Sequence, residues 1–136
     1  MGLIEELQRF RVIDAHAHNW SLFADTAYLS ECLDRFALRG IVILSNLTGG
    51  YDPTPKEIVQ SNEDTARLRD AVGERILPFC YVNAAYPEHA LAQIDYWGGQ
   101  GFCALKFWVS QHATDERTSV VTEAALARGW PVLYHA

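Results

Sequence analysis

The stretch Ile41-Val42-Ile43-Leu44 is a short, uninterrupted aliphatic run, and it decides how the rest of the chain is interpreted. Three of its four residues are β-branched, which favours an extended strand. A strand with apolar side chains on both faces is typical of a parallel sheet whose two faces are covered. We therefore predict a buried parallel strand here.

The same alternation of apolar runs and amphipathic stretches extends in both directions from this strand. The amphipathic stretches end at Gly40, Gly73 and Gly129, which are typical helix stops. This alternation predicts repeated β-α units and an α/β fold. The predicted strands are 11–15, 41–44, 76–82, 102–107 and 130–135, and the predicted helices are 3–9, 25–38, 56–72, 88–97 and 116–128. No linker interrupts the pattern, so residues 1–136 are expected to form a single domain.

The composition is that of an ordinary globular protein, with 49% hydrophobic and 21% charged residues and a mean hydropathy of −0.06. A net charge of −6 and a pI near 5.2 argue against a nucleic-acid partner, because phosphate-backbone binding needs clustered Lys and Arg. The three cysteines are odd in number and widely spaced, which argues against a disulfide framework. We find no signal peptide and no apolar stretch long enough to cross a bilayer, so we expect a cytoplasmic protein with no membrane partner.

Histidines lie at the carboxyl ends of two predicted strands. His16 and His18 lie at the end of the first strand, and His135 lies at the end of the fifth. Side chains at i and i+2 of a strand share a face, so two imidazoles roughly 6–7 Å apart could converge on one metal ion. Functional groups of α/β folds gather at the carboxyl ends of strands. We therefore predict a divalent metal at these three histidines, since neutral imidazole suits zinc, manganese or iron. Asp14 shares the parity of the pair, and it is expected either to orient a ligand or to pair with a basic residue.

Lys106 interrupts an apolar run at the carboxyl end of the fourth strand. A lysine there is costly unless it is paired, which indicates a carboxylate partner, a substrate anion or a modified lysine that acts as a ligand. We predict a catalytic role for Lys106. Trp20, Trp108 and His112 lie in loops at the same edge and are the candidate substrate-binding residues. Core packing of the tryptophans and a merely exposed His112 are the alternatives.

Several segments resemble those of a known family. Residues Ile13-Asp14-Ala15-His16-Ala17-His18 are similar to the first-strand metal motif of the amidohydrolase superfamily. Residues 76–83 resemble its third strand, 101–106 its glycine-to-lysine fourth strand, and 131–135 the fifth strand with its histidine. The order of these segments resembles the amidohydrolase-related branch, which includes small-molecule hydrolases and nonoxidative decarboxylases of the aminocarboxymuconate-semialdehyde type. The resemblance implies a TIM (β/α)8 barrel in which His16, His18 and His135 bind a metal, commonly zinc.

A complete barrel of this kind takes about 250 residues. The family's sixth-strand histidine and eighth-strand aspartate have no counterpart in these 136 residues. We therefore expect the first five β-α units of an apparently incomplete barrel, the N-terminal portion of a metal-dependent hydrolase. An open apolar strand edge invites pairing with another chain. A homo-oligomer, or association with a chain that completes the barrel, is the expected assembly.

The expected function is that of a metal-dependent hydrolase acting on a small-molecule substrate. A nonoxidative decarboxylase of the same superfamily is the close alternative, and a non-catalytic barrel fragment acting as a subunit is the other. TatD-type nucleases and the polymerase-and-histidinol-phosphatase family also carry His-x-His on the first strand. The acidic charge balance and the lysine on the fourth strand argue against both.

Overall fold

Five strands alternate with five helices in the computed structural model, which describes residues 2–19, 25–45, 52–108 and 111–135. The strands are β1 (Ile13–Ala17), β2 (Gly40–Ile43), β3 (Ile76–Val82), β4 (Ala104–Phe107) and β5 (Val132–Tyr134). The helices are α1 (Leu3–Leu7), α2 (Thr26–Arg35), α3 (Pro55–Val72), α4 (Pro87–Gly99) and α5 (Glu116–Ala127). Among the described residues, no helix is long and apolar enough to span a bilayer.

The strands form one parallel sheet in the order β1-β2-β3-β4-β5, so each strand pairs with its neighbours in the chain. The sheet curls into a half-barrel, with β1 and β5 at its two edges. This architecture confirms the predicted α/β class. It also brings the carboxyl ends of all five strands to one edge of the sheet, where the sequence placed the candidate chemistry.

The core lies between the sheet and its helices in two clusters. One cluster joins α2 and α3 to the first three strands through Leu29, Leu33, Ile41, Ile43, Leu68 and Ile76. The larger cluster joins β3, β4 and β5 to α4 and α5, and Leu105 and Phe107 of β4 belong to it. Because side chains alternate along a strand, Ala104 and Lys106 lie on the opposite, concave face of the sheet. This alternation places the lysine inside the half-barrel.

Helix α3 completes the sheet where β2 and β3 separate. Residues Ile41–Ile43 of β2 pair with Ile76–Pro78, the first part of β3. Further along β3, the Asn62 side chain makes the hydrogen bonds that a neighbouring strand would make. Its Nδ2 donates to the Tyr81 carbonyl at 2.9 Å, and its Oδ1 accepts from the Tyr81 N–H at 2.8 Å. Asn62 is fully buried. A polar side chain of α3 thus satisfies backbone groups that would otherwise be buried without partners.

Helix ends follow the signals in the sequence. Asp25 caps α2 through bonds from the N–H groups of Ala27 and Tyr28. At the other end, the N–H of Leu38 donates to the Leu33 carbonyl and the N–H of Ala37 to that of Asp34, which is a Schellman motif. Ala37 has a φ of +54°, the left-handed conformation that this motif requires and that glycine adopts at least cost.

Candidate metal site

The His16 and His18 rings lie side by side at the carboxyl end of β1. Their Nε2 atoms are 3.2 Å apart, and their ring centres are 5.1 Å apart with the planes at 67°. Two nitrogen ligands of one tetrahedral zinc, each about 2.0–2.1 Å from the ion, are separated by about 3.3 Å. The distance also fits an N–H···N hydrogen bond between neutral rings. The two side chains converge as the i, i+2 spacing predicted.

A backbone carbonyl from the end of β2 orients His18. The Nδ1–H of His18 donates to the Ser45 carbonyl at 3.2 Å, a bond that fixes the proton on Nδ1 and leaves Nε2 with its lone pair toward His16. The same carbonyl accepts from the Asn19 N–H at 3.4 Å. Burial lowers the pKa of His18, and the charges of His16, Lys106 and His135 lower it further against the opposing effect of the Ser45 bond. His18 is therefore held in the neutral form that binds metals.

Ser45 itself has an unusual conformation. Its φ is +76°, a left-handed value that is uncommon for a residue other than glycine. Ser45 is fully buried, and its hydroxyl is hydrogen-bonded to the hydroxyl of Ser61 on α3. Ser61 is also buried, and its carbonyl accepts from Thr65 within the helix. The contact with α3 thus holds the residue that contacts His18.

Asp14 does not contact the imidazoles in the way that strand parity suggested. Its carboxylate accepts from the backbone N–H of His16 at 3.0 Å. The register of β1 against β2 shifts between Asp14 and Ala17, so the simple alternation of faces does not hold across this segment. The structure gives Asp14 a local role in shaping the backbone before the histidine pair.

Lys106 is completely buried on the concave face of β4. Its Nζ has no hydrogen-bond partner among the described residues, and it lies 5.8 Å from the centre of the Trp108 ring. Burial lowers the pKa of the amine from 10.5 to about 8, so the cationic form still predominates at neutral pH. The charge of Lys106 also acts on His18 and His135, so the buried ammonium group lies at the same edge of the half-barrel as these histidines.

Trp108 and His135 pack against each other where β4 and β5 end. Their ring centres are 4.1 Å apart with the planes at 44°, and the backbone N–H of His135 donates to the Phe107 carbonyl at 3.2 Å. Burial lowers the pKa of His135, and the charges of Lys106 and His16 lower it further. His135 is therefore an electrostatic neighbour of the β1 pair across the curled sheet.

The structure brings the predicted ligands to one edge, but it does not gather all three around one point. Within residues 2–19, 25–45, 52–108 and 111–135, no three His, Cys, Asp or Glu side chains are arranged to hold a single ion. The His16 and His18 pair is formed. The His135 ring packs on Trp108 instead of joining that pair.

Of the other two predicted substrate-binding residues, the structure describes His112 but not Trp20. His112 is exposed before α5, and its Nδ1 contacts the hydroxyl of Thr114 at 2.8 Å and accepts from the Thr114 N–H at 3.3 Å. These contacts tie the ring to its own turn. Trp20 lies outside the described residues.

Sequence reasoning missed Ser45, Ser61 and Asn62. A signal for the two α3 residues was present, because 58, 61, 62 and 65 form the i, i+3, i+4, i+7 pattern of one helix face. Three polar residues on the face that carries Ile58 indicate buried hydrogen bonds. For Ser45 the chain offers no comparable signal, since serine gives no indication of a positive φ. Comparisons of the chain with protein-family models, with curated proteins and with solved structures found no match.

Proposed function

We propose that this chain forms five β-α units of a (β/α)8 barrel and carries the site of a metal-dependent hydrolase that acts on a small-molecule substrate. The observation that carries the proposal is the His16 and His18 pair, with its Nε2 atoms 3.2 Å apart and His18 held through Nδ1 by a backbone carbonyl. A metal-binding histidine commonly donates its other ring N–H to such an acceptor. Parallel strands in sequential order and a curled sheet support the barrel.

The donor set suits a divalent ion of borderline softness, zinc before manganese or iron. His16 and His18 would bind through Nε2, and His135, at the end of β5, would be the third ligand after its ring leaves Trp108. Such an ion polarises a substrate carbonyl and lowers the pKa of a coordinated water toward neutrality. The fit of the pair is close, because 3.2 Å is within about 0.2 Å of the separation of two zinc ligands.

The other residues act on the substrate. The Lys106 ammonium would bind an anionic group and hold it at the end of β4, because burial strengthens its attraction for a negative charge. Trp108 would form an apolar wall between Lys106 and His135. The hydrolase therefore selects a small molecule that carries both a scissile carbonyl and a negative charge.

A nonoxidative decarboxylase is the second candidate, and the buried lysine favours it. A substrate carboxylate fits a cation that has no partner among the described residues. Assays that follow carbon dioxide release and carbonyl hydrolysis on a common panel of carboxylated substrates would distinguish the two reactions.

The experiment that tests the metal site is measurement of bound metal. We expect about one equivalent of zinc after dialysis against a zinc buffer, and loss of at least nine-tenths of it in His16→Ala and in His18→Ala. His89→Gln is the matched control, because His89 is half-buried on α4 and is no proposed ligand. A protein that takes up no zinc, manganese or iron, or whose zinc survives both alanine variants, would favour the non-catalytic subunit.

The barrel proposal also requires further strands. Residues 13–16 of β1 are exposed, and within the described sheet β1 and β5 each pair with one strand only. We propose that further strands pair with these edges, whether they come from a longer form of this polypeptide, from a second copy or from another chain. Light scattering during size-exclusion chromatography of residues 1–136 checks this, and a stable monomer of 15.3 kDa, with both edges unpaired, would contradict it.

A further inference from the structure

We propose that Ser61 and Ser45 are positioning residues for the metal site: the hydroxyl bond between them holds Ser45 in its left-handed conformation, which aims the Ser45 carbonyl at His18. This inference rests on the proposed function, because positioning His18 serves a purpose only if the metal site exists. The geometry on which it depends is a property of the protein without any metal.

Ser45 adopts a backbone conformation that is costly for its residue type. A φ of +76° is unfavourable for a residue with a Cβ, so it persists only where surrounding contacts hold it. Ser45 is fully buried two residues after the end of β2, and its hydroxyl is bonded to that of Ser61 on α3. This side-chain contact ties the backbone of Ser45 to a helix of 18 residues.

The left-handed conformation of Ser45 determines where its carbonyl points. With φ positive, the chain turns after β2 and the Ser45 carbonyl faces the end of β1. There it accepts from the Asn19 N–H at 3.4 Å and from the His18 Nδ1–H at 3.2 Å. If the strand continued in the extended conformation beyond Leu44, the Ser45 carbonyl would point along the hydrogen bonds of the regular sheet ladder and not toward His18. The left-handed turn therefore supplies the acceptor that fixes the His18 tautomer.

The bond to the Ser45 carbonyl determines which ring nitrogen of His18 has a lone pair. An imidazole with its proton on Nδ1 has its lone pair on Nε2, the atom that lies 3.2 Å from Nε2 of His16. If the Ser45 carbonyl turns away, the proton is free to move to Nε2, and the ring then presents a donor to the site. Loss of a supporting partner of this kind typically weakens metal affinity 10–100-fold.

The test reads the tautomer directly in metal-free protein at pH 8. Two-bond ¹⁵N–¹H spectra of the histidine rings report which nitrogen carries the proton. We expect His18 to be protonated on Nδ1 in the wild type and to become a mixture with Nε2 protonated in Ser61→Ala. Ser45→Ala should have a similar effect, because it breaks the same hydroxyl bond and, like Ser61→Ala, keeps a Cβ at positive φ. Ser45→Gly should have a smaller one, because glycine accepts that φ.

Thr65→Val is the matched control. It removes another buried hydroxyl from the same helix, one that donates to the Ser61 carbonyl, and it should leave the His18 tautomer unchanged. Isothermal titration with Zn²⁺ should then show binding weakened about 10-fold or more in Ser61→Ala and unchanged in Thr65→Val.

The outcomes separate this inference from the proposed function. If the wild type binds no Zn²⁺ but its tautomer responds to the serine variants, the metal site is wrong and the positioning role stands. If His18 keeps its proton on Nδ1 in Ser61→Ala and in Ser45→Gly, with the fold intact by amide spectra, the positioning role is refuted. Should Ser45→Ala fail to fold, the other two serine variants decide.

Discussion

Replacing Lys106 with methionine should stabilise the metal-free protein at neutral pH. Burial lowers the pKa of the amine from 10.5 to about 8. A tenfold change in proton affinity corresponds to about 1.36 kcal/mol, so the folded state bears a cost of about 3 kcal/mol for the charged lysine. Methionine fills nearly the same volume and has no charge to bury. We therefore expect Lys106→Met to raise the free energy of unfolding by up to about 3 kcal/mol at pH 7.

The pH dependence gives the sign of the effect. The folded pKa lies below the unfolded value, so the unfolded state binds more protons between pH 8 and pH 10.5. The cost is complete below about pH 8, and it disappears as the pH rises toward 10.5. The advantage of Lys106→Met should shrink across that interval, with stability measured by urea unfolding at each pH.

The chain offers a matched control, because its only other lysine is Lys56, which is exposed on α3. Lys56→Met should change the free energy of unfolding by no more than about 0.5 kcal/mol at any pH. With two lysines, ¹³Cε labelling also gives two resolvable titration curves. An equal stability of Lys106→Met and wild type at pH 7, or a difference that persists unchanged at pH 10.5, would refute the reasoning from burial.

Two further predictions concern the scaffold. Ala37→Gly should stabilise the protein by about 0.5–1 kcal/mol in thermal or urea unfolding, because glycine relieves the positive φ of the Schellman motif at the end of α2; a loss of stability would contradict the assignment. Asn62→Leu should lower the free energy of unfolding by about 2–5 kcal/mol in urea, because both backbone groups of Tyr81 lose a buried partner. Gln60→Leu, on the exposed face of α3, is the control, and an equal effect of the two variants would refute the role of Asn62 in the sheet.

Much of the fold could be predicted from the pattern of apolar runs. The third strand lies at 76–82 as predicted, and α5 and α3 differ from their predicted bounds by one residue at one end each. These elements have strong signals, because their apolar faces are buried and their ends carry Thr54, Asp115 and Gly73. The apolar spacing and the capping residues of an element lie within or next to that element, so both are visible in the sequence.

The first strand was placed two residues too early. The prediction was 11–15, whereas β1 is Ile13–Ala17. β1 is an edge strand with residues 13–16 exposed and a register shift inside it. The alternation of apolar and polar residues specifies the register of a strand only where one of its faces is buried. Because residues 13–16 are exposed, the sequence pattern did not define the bounds of β1.

The candidate site was only partly predictable for a related reason. The i, i+2 spacing of His16 and His18 predicted that their rings converge, and the topology brings the strand ends together. The support for His18 comes from Ser45 and Ser61, which are 16 residues apart and meet only after α3 packs on the sheet. A contact of that kind depends on tertiary structure: the helical spacing indicates that Ser61 is buried, but nothing in the sequence identifies Ser45 as its partner.

The sequential strand order has a consequence for synthesis on the ribosome. Within the described sheet, each strand from β2 to β5 pairs with the strand translated just before it, so none of these contacts waits for a distant segment to emerge. At roughly 5–20 residues per second, the interval from one strand to its partner is a few seconds, far longer than local collapse requires. The nascent chain can therefore bury each new strand against a sheet that is already formed, and its apolar runs are exposed to other nascent chains only briefly.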